Sequence, residues 1–154
     1  MKIIELNKRP NNKQGTRFHR KYFQFEKLLN ELKNKELTNE IISSINNDIE
    51  QINSITNSEK ELGRQVRRAQ SKILKLIEKE LKLVTKNHYR NTWLAVGMSA
   101  FGIPLGVAFG ATLGNMAFIG IGLPIGMAIG IAVGTTMDKK AIDNGMQLDL
   151  EIKY

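Results

Sequence analysis

Between Asn91 and Met137 the chain carries no charged side chain. A stretch that long without charge is what a bilayer demands and what a soluble core does not need. Inside it the sequence repeats itself. Residues 101–114 read FGIPLGVAFGATLG, and residues 121–134 read IGLPIGMAIGIAVG. Gly102, Pro104, Gly106, Ala108, Gly110 and Gly114 recur as Gly122, Pro124, Gly126, Ala128, Gly130 and Gly134. The stretch therefore predicts residence in lipid before it predicts anything else.

One straight helix over the whole stretch would reach roughly 70 Å, more than twice the hydrocarbon core. The chain must fold back. Gly114 and Asn115 are the natural turn, because both residue types tolerate left-handed backbone. Two spans follow, near Trp93–Leu113 and Met116–Met137. Lys86, Arg90, Lys139 and Lys140 flank the outer ends, and the turn has no positive charge. Excess positive charge stays on the cytoplasmic side, so the expected site is the inner membrane with both termini cytoplasmic.

Gly102, Gly106, Gly110 and Gly114 form a four-residue ladder, matched by Gly122, Gly126, Gly130 and Gly134. Small residues at that step let helix backbones approach closely in lipid. Pro104, Ala108 and Thr112, with Pro124, Ala128 and Ala132, form a second small ladder about 200° round each helix. One narrow face can meet the hairpin partner and the other a second copy, so a homo-oligomer is expected. Pro104 and Pro124 each remove a backbone hydrogen bond and crowd the carbonyls of Ala100 and Gly120, which predicts kinks. The alternation of large and small residues also fits a β-hairpin of a barrel. Two prolines and eight glycines within such strands count against it, and helices are the prediction.

With 42% hydrophobic and 25% charged residues the overall composition is ordinary, but it hides a division. Twenty of the 23 Lys and Arg residues precede Asn91 or lie just before it, against 11 of the 15 acids. There is no cysteine, which excludes disulfides, thiolate metal sites and thiol nucleophiles. The first 30 residues hold no apolar core of a signal peptide, so insertion is expected through the internal segment. The many asparagines match an AT-rich coding bias and carry no structural expectation.

Residues 1–17 read as a short apolar start followed by a flexible basic arm. From Phe18, apolar residues recur at helical spacing through Tyr22, Phe25, Leu28, Leu29 and Leu32. Thr38 is an N-cap candidate for a second helix carrying Ile41, Ile42, Ile45, Ile49 and Ile52. Ser58 with Glu61 is a capping-box signature. It opens a third helix with Leu62, Val66, Ala69, Ile73, Leu76 or Ile77, Leu81 and Val84 on one face. Nothing between Val84 and Trp93 forces that helix to stop, so it can run on into the first span. The spacing fits an amphipathic bundle within the chain, the commoner outcome, or a coiled coil between chains. The tail from residue 138 ends in Leu148, Leu150, Ile152 and Tyr154, alternating with polar residues as a short strand would.

The prediction is an all-α chain in four parts. Residues 1–17 are the arm, 18–90 a cytoplasmic helical domain, 91–137 the two-span hairpin and 138–154 a cytoplasmic tail. The segment from Trp93 to Met137, followed by DKKA, resembles the glycine-zipper family of small bacterial membrane proteins. The resemblance covers the last third of the chain. It implies close helix packing and oligomer formation in a membrane, and no catalytic residues.

No active-site constellation is present. His19 and His88 sit in basic settings (RFHRKY and KNHYRN), where neither metal binding nor catalysis has partners. The glycine-rich stretch lacks the Gly-Lys-Ser/Thr ending of a phosphate loop. No ionisable residue lies in the spans, which argues against a proton relay. The reading is therefore a non-enzyme without metal or cofactor. Lys8, Arg9, Lys13, Arg17, Arg20 and Lys21, with Phe18 and Tyr22, form a basic segment. Anionic lipid headgroups are its nearest partner, shared with Lys86, Arg90, Lys139 and Lys140, and a solvated face that binds nothing specific is the equal alternative. Nucleic acid is the weaker reading, because no nucleic-acid motif supports it. A protein partner for residues 18–90 is unknown. The expected role is a membrane scaffold or assembly subunit. The alternative is a membrane-permeabilising protein that inserts the same hairpin.

Overall fold

The structure, a computed structural model, describes residues 1–7, 16–56 and 58–152, with only the backbone of Met116. It is all-helical, with one isolated bridge and no longer β-ladder among the described residues. The chain forms two compact units. One comprises Met1–Leu83 together with Leu148–Tyr154, and the other is Val84–Gln147. The second unit is thus an insertion in the first.

In the first unit, α1 (Arg17–Lys33), α2 (Asn39–Ser54) and α3 (Glu59–Leu81) each begin at a side-chain cap. Thr16 accepts from the His19 N–H, Thr38 from Ile41 and Ser58 from Glu61, which satisfies donors the first helical turn leaves open. Their apolar faces close one core. Phe25, Leu28, Leu32, Ile45, Ile49, Ile52, Val66, Ile73 and Ile77 are fully buried in it. The helices therefore form a bundle within the chain, with α3 packed against both α1 and α2. Ile77 and not Leu76 takes the inward place. Lys72 donates to Asp48 at 2.9 Å, tying α3 to the buried acid of α2.

The expected run of α3 into the membrane does not occur. The helix ends at Leu81, and Lys82 adopts left-handed backbone at φ 57°. Its N–H bonds the Glu78 carbonyl, and the Leu83 N–H bonds Ile77. The stop turns Leu83 inward, where it joins the bundle core.

The ends of the chain complete this unit. Leu148, Leu150 and Ile152 are buried, while Asp149 and Glu151 face outward. The period-two pattern is therefore a pattern of burial without a strand ladder. The extended segment Met1–Asn7 is held by asparagines instead of by a strand. Asn46 accepts from the Ile4 N–H at 2.9 Å and donates to the Lys2 carbonyl at 3.0 Å. Asn53 does the same for Asn7 at 3.0 Å and Glu5 at 3.1 Å. Asn39, one heptad earlier, accepts from the Met1 nitrogen. Seven helical residues rise about 10.5 Å, and three extended residues span about 10 Å, so the two repeats stay in step. These asparagines have a structural task that the composition argument overlooked. Asn46→Ala should lower stability by about 1–3 kcal/mol, because the buried side chain loses two hydrogen bonds of about 0.5–1.5 kcal/mol each. Hydrogen exchange at the Ile4 amide, faster in the variant, is the check.

Candidate functional site: the glycine seam

The second unit is an antiparallel hairpin. Its first rod joins α4 (His88–Gly97), a π-helical turn at Met98–Gly102 and α5 (Ile103–Thr112). A 3₁₀ turn at Met116–Phe118 leads into α6 (Ile119–Asp143). Both rods, His88–Thr112 and Ile119–Asp143, are long and apolar enough to cross a membrane. They extend past the expected span limits at the polar end, because helical hydrogen bonding continues beyond the first charged residues.

Packing in this hairpin is inverted relative to a soluble core. In α4 and α5 the buried residues are Gly97, Gly106 and Gly110, with Gly102 buried in the π turn between them. In α6 they are Gly122, Gly126, Gly130, Gly134, Asp138 and Ala141. The large side chains Phe101, Ile103, Val107, Phe109, Ile121, Ile125 and Ile129 all stand exposed. Only 22% of the most apolar window of each rod is buried. A core helix of a soluble protein buries its large residues, and these two rods leave theirs exposed.

The glycines make the contact. A Cβ on Gly106 would lie 2.6 Å from the Ile119 carbonyl oxygen. One on Gly122 would strike the backbone of Gly102 and Gly106, and one on Gly126 the backbone of Gly97 and Gly102. Gly130 faces Trp93, and Gly134 faces Tyr89 and Arg90. Backbone lies against backbone at each of these positions.

Pro104 explains a further member. It has no N–H to offer the Ala100 carbonyl, and the helix widens just before it. The Ile103 N–H reaches back five residues to the Met98 carbonyl. This π turn inserts one residue, so Gly97 and Gly102, five apart, share the face that Gly102 and Gly106 share four apart. The expected kink at Pro104 thus takes the form of a π turn, while α6 runs unbroken through Pro124. Gly97 was outside the predicted ladder. Gly114 drops out of it: a Cβ there would meet nothing within 4 Å.

Gly114 serves the turn alone, at φ 65°. The Asn115 N–H bonds the Gly110 carbonyl at 3.0 Å, the end pattern of a helix closed by a left-handed glycine. The Asn115 side chain accepts from the Ala117 N–H at 2.9 Å. α6 ends the same way, with Gly145 at φ 67° and the Met146 N–H on Ala141.

Asp138 closes the open end of the hairpin. Asn87, the N-cap residue of α4, is left-handed, and its side chain does not cap the helix. The carboxylate of Asp138 does so from the other rod. Its oxygens accept from the Tyr89 N–H at 3.0 Å and the Arg90 N–H at 2.9 Å. Residues 122, 126, 130, 134 and 138 keep one four-residue step, so the glycines bring α6 close enough for the acid to reach. A carboxylate at a helix N-terminus also meets the positive end of the helix dipole. The ladder register was the sequence signal for it. Past the cap, the Val84 N–H bonds the Met146 carbonyl at 3.0 Å, joining the two ends of the unit.

Lys86, Arg90, Lys139 and Lys140 are all exposed in the segments that form this polar end of the hairpin. Of the basic arm, Arg17 and Arg20 are exposed and Lys21 half-buried in the first turns of α1. Lys8, Arg9 and Lys13 lie outside the described residues. His19 stacks on Phe23, and His88 meets Tyr89 edge-on. Pro104, Ala108 and Thr112, with Pro124, Ala128 and Ala132, are exposed on the outer surfaces of their rods.

Several exposed hydroxyls of the hairpin bond back onto their own helices. Ser99 donates to the Ala95 carbonyl, Thr112 to Ala108 and Thr136 to Ala132, at 2.8–2.9 Å. Such a bond to the carbonyl four residues back satisfies a hydroxyl within its own helix. Comparison with protein-family models, curated proteins and solved structures finds no match to this chain.

Proposed function

We propose that this chain is an integral membrane protein whose hairpin self-associates and holds the helical bundle at the bilayer as a scaffold or assembly subunit. The observation that carries the reading is the inverted packing, with glycines inside and Ile, Val, Phe and Leu outside. In lipid those outer side chains need no further cover, and close backbone contact supplies the cohesion. The topology adds support. Leu83 and Leu148 belong to one folded unit, so both ends of the inserted hairpin leave from the same side of the bilayer. The cations at that end then favour the cytoplasmic face of the inner membrane.

The seam glycines are spent on the contact within the hairpin. Self-association must use the outer small faces, where Ala108 and Ala128 stand exposed. The absence of cysteine makes the test clean. Ala128→Cys should give a crosslinked dimer on oxidation in native membranes, and Ile129→Cys, about 100° round the helix, should give much less. Monomers alone from Ala128→Cys and Ala108→Cys would rule out this mode of assembly. The membrane potential measured during expression separates scaffold from permeabilising protein. A scaffold leaves it unchanged; a collapse would favour the permeabilising reading.

A further inference from the structure

α3 turns Leu62, Val66, Ala69, Ile73 and Ile77 into the bundle and presents the opposite face to solvent. That face carries Arg64, Arg67, Arg68 and Lys75, all exposed. At 100° per residue they fall within an arc of roughly 100°, over a rise of about 16 Å. From Leu62 to Ile77 there is no acidic residue. The acids of the helix, Glu59, Glu61, Glu78 and Glu80, stand at its ends.

None of these four cations makes an ion pair among the described residues. Lys72, at the edge of the face, is occupied by Asp48. Arg64 lies three and four residues from Arg67 and Arg68, and like charges at that spacing repel. A merely solvated helix face mixes the two signs throughout; between Arg64 and Lys75 this one keeps a single sign, with Glu61 and Glu78 about a turn beyond its two ends, and an external polyanion would relieve the repulsion. Connectivity selects the polyanion. Six residues, Lys82–Asn87, separate α3 from the rod that begins at His88, and they reach at most about 20 Å. So short a tether keeps the headgroup layer at a high effective concentration.

We propose that the outer face of α3 binds anionic lipid headgroups through Arg64, Arg67, Arg68 and Lys75. The inference rests on the membrane reading above. Binding fixes the bundle on the bilayer surface and makes its orientation depend on lipid charge and ionic strength.

The test uses the full chain in nanodiscs of phosphatidylcholine, with or without phosphatidylglycerol. Ser71→Cys places a single thiol in the middle of the basic face, and Asn47→Cys places one on an exposed position of α2. The rate of labelling by a neutral polymer maleimide is read. Ser71→Cys should label at least about threefold more slowly in the anionic discs, a threshold well inside what about 1 kcal/mol per surface cation supplies. High salt, or Arg64→Gln with Arg68→Gln and Lys75→Gln, should restore the rate. Asn47→Cys should label equally in both discs. Incorporation into both discs with equal Ser71→Cys rates would overturn this inference and leave the membrane reading standing. Failure to enter either disc would overturn both. Protection of Ser71→Cys by added single-stranded DNA, with none by anionic lipid, would assign the face to nucleic acid instead.

Discussion

Gly126→Ala should separate the two rods of the hairpin, and Gly120→Ala should not. Alanine is the better helix former by about 1 kcal/mol, so propensity favours both changes equally. The difference lies in what the new methyl meets. At Gly120 it enters open space, with nothing within 4 Å. At Gly126 it meets the backbone of Gly97 and Gly102, which no rotamer change can move aside. Overpacking typically costs 1–3 kcal/mol even where side chains can shift. Against rigid backbone the upper end applies, and the rods must part and lose contacts along the seam. The expected net loss for Gly126→Ala is therefore about 2 kcal/mol or more, despite its better propensity. Gly120→Ala should be neutral or slightly stabilising. Denaturant titration of the hairpin in mild detergent, read by helix content and by energy transfer between labelled ends, compares the two. Equal stability of the pair would mean that the rods do not touch at Gly126.

Asp138→Ala should loosen the polar end of the hairpin by about 2–4 kcal/mol. Two backbone donors lose a charged acceptor, and such bonds contribute about 1.5–3 kcal/mol each, less what water at the interface returns. Asp138→Asn keeps the shape and one acceptor oxygen but loses the charge that faces the helix dipole. It should show roughly half the effect. The amides of Tyr89 and Arg90 report the cap directly. Their hydrogen exchange should rise in Asp138→Ala while amides near Gly106 stay protected. Unchanged exchange at Tyr89 and Arg90 would show that the cap is not made.

Much of this arrangement is legible from residue order. The heptad-spaced isoleucines and leucines of α1 to α3 occupy the bundle core, and Thr38 and Ser58 cap the helices they precede. The turn at Gly114 and Asn115 follows from two residues that accept left-handed backbone. Other features depend on where distant segments meet. Gly97 sits off the four-residue register and joins the seam only because Pro104 forces a π turn. Asp138 is charged and reads as the start of a tail. Its role depends on the α4 N-terminus, 48 and 49 residues earlier in the chain. The asparagine column on α2 is visible as a seven-residue spacing, but its meaning lies in an extended partner with a matching repeat. The stop at Leu81 has no breaker residue, since Lys82 takes a conformation that sequence assigns to glycine.

The central proposal is a hairpin that crosses the bilayer twice. Two single-cysteine variants test it most directly: Ala117→Cys at the turn and Asn144→Cys just past α6, both exposed positions in a chain without native cysteine. Each is treated with a membrane-impermeant maleimide from one side of sealed vesicles and then, after permeabilisation, from both. The account predicts that the two positions label from opposite sides. Labelling of both from the same side would contradict a two-span hairpin.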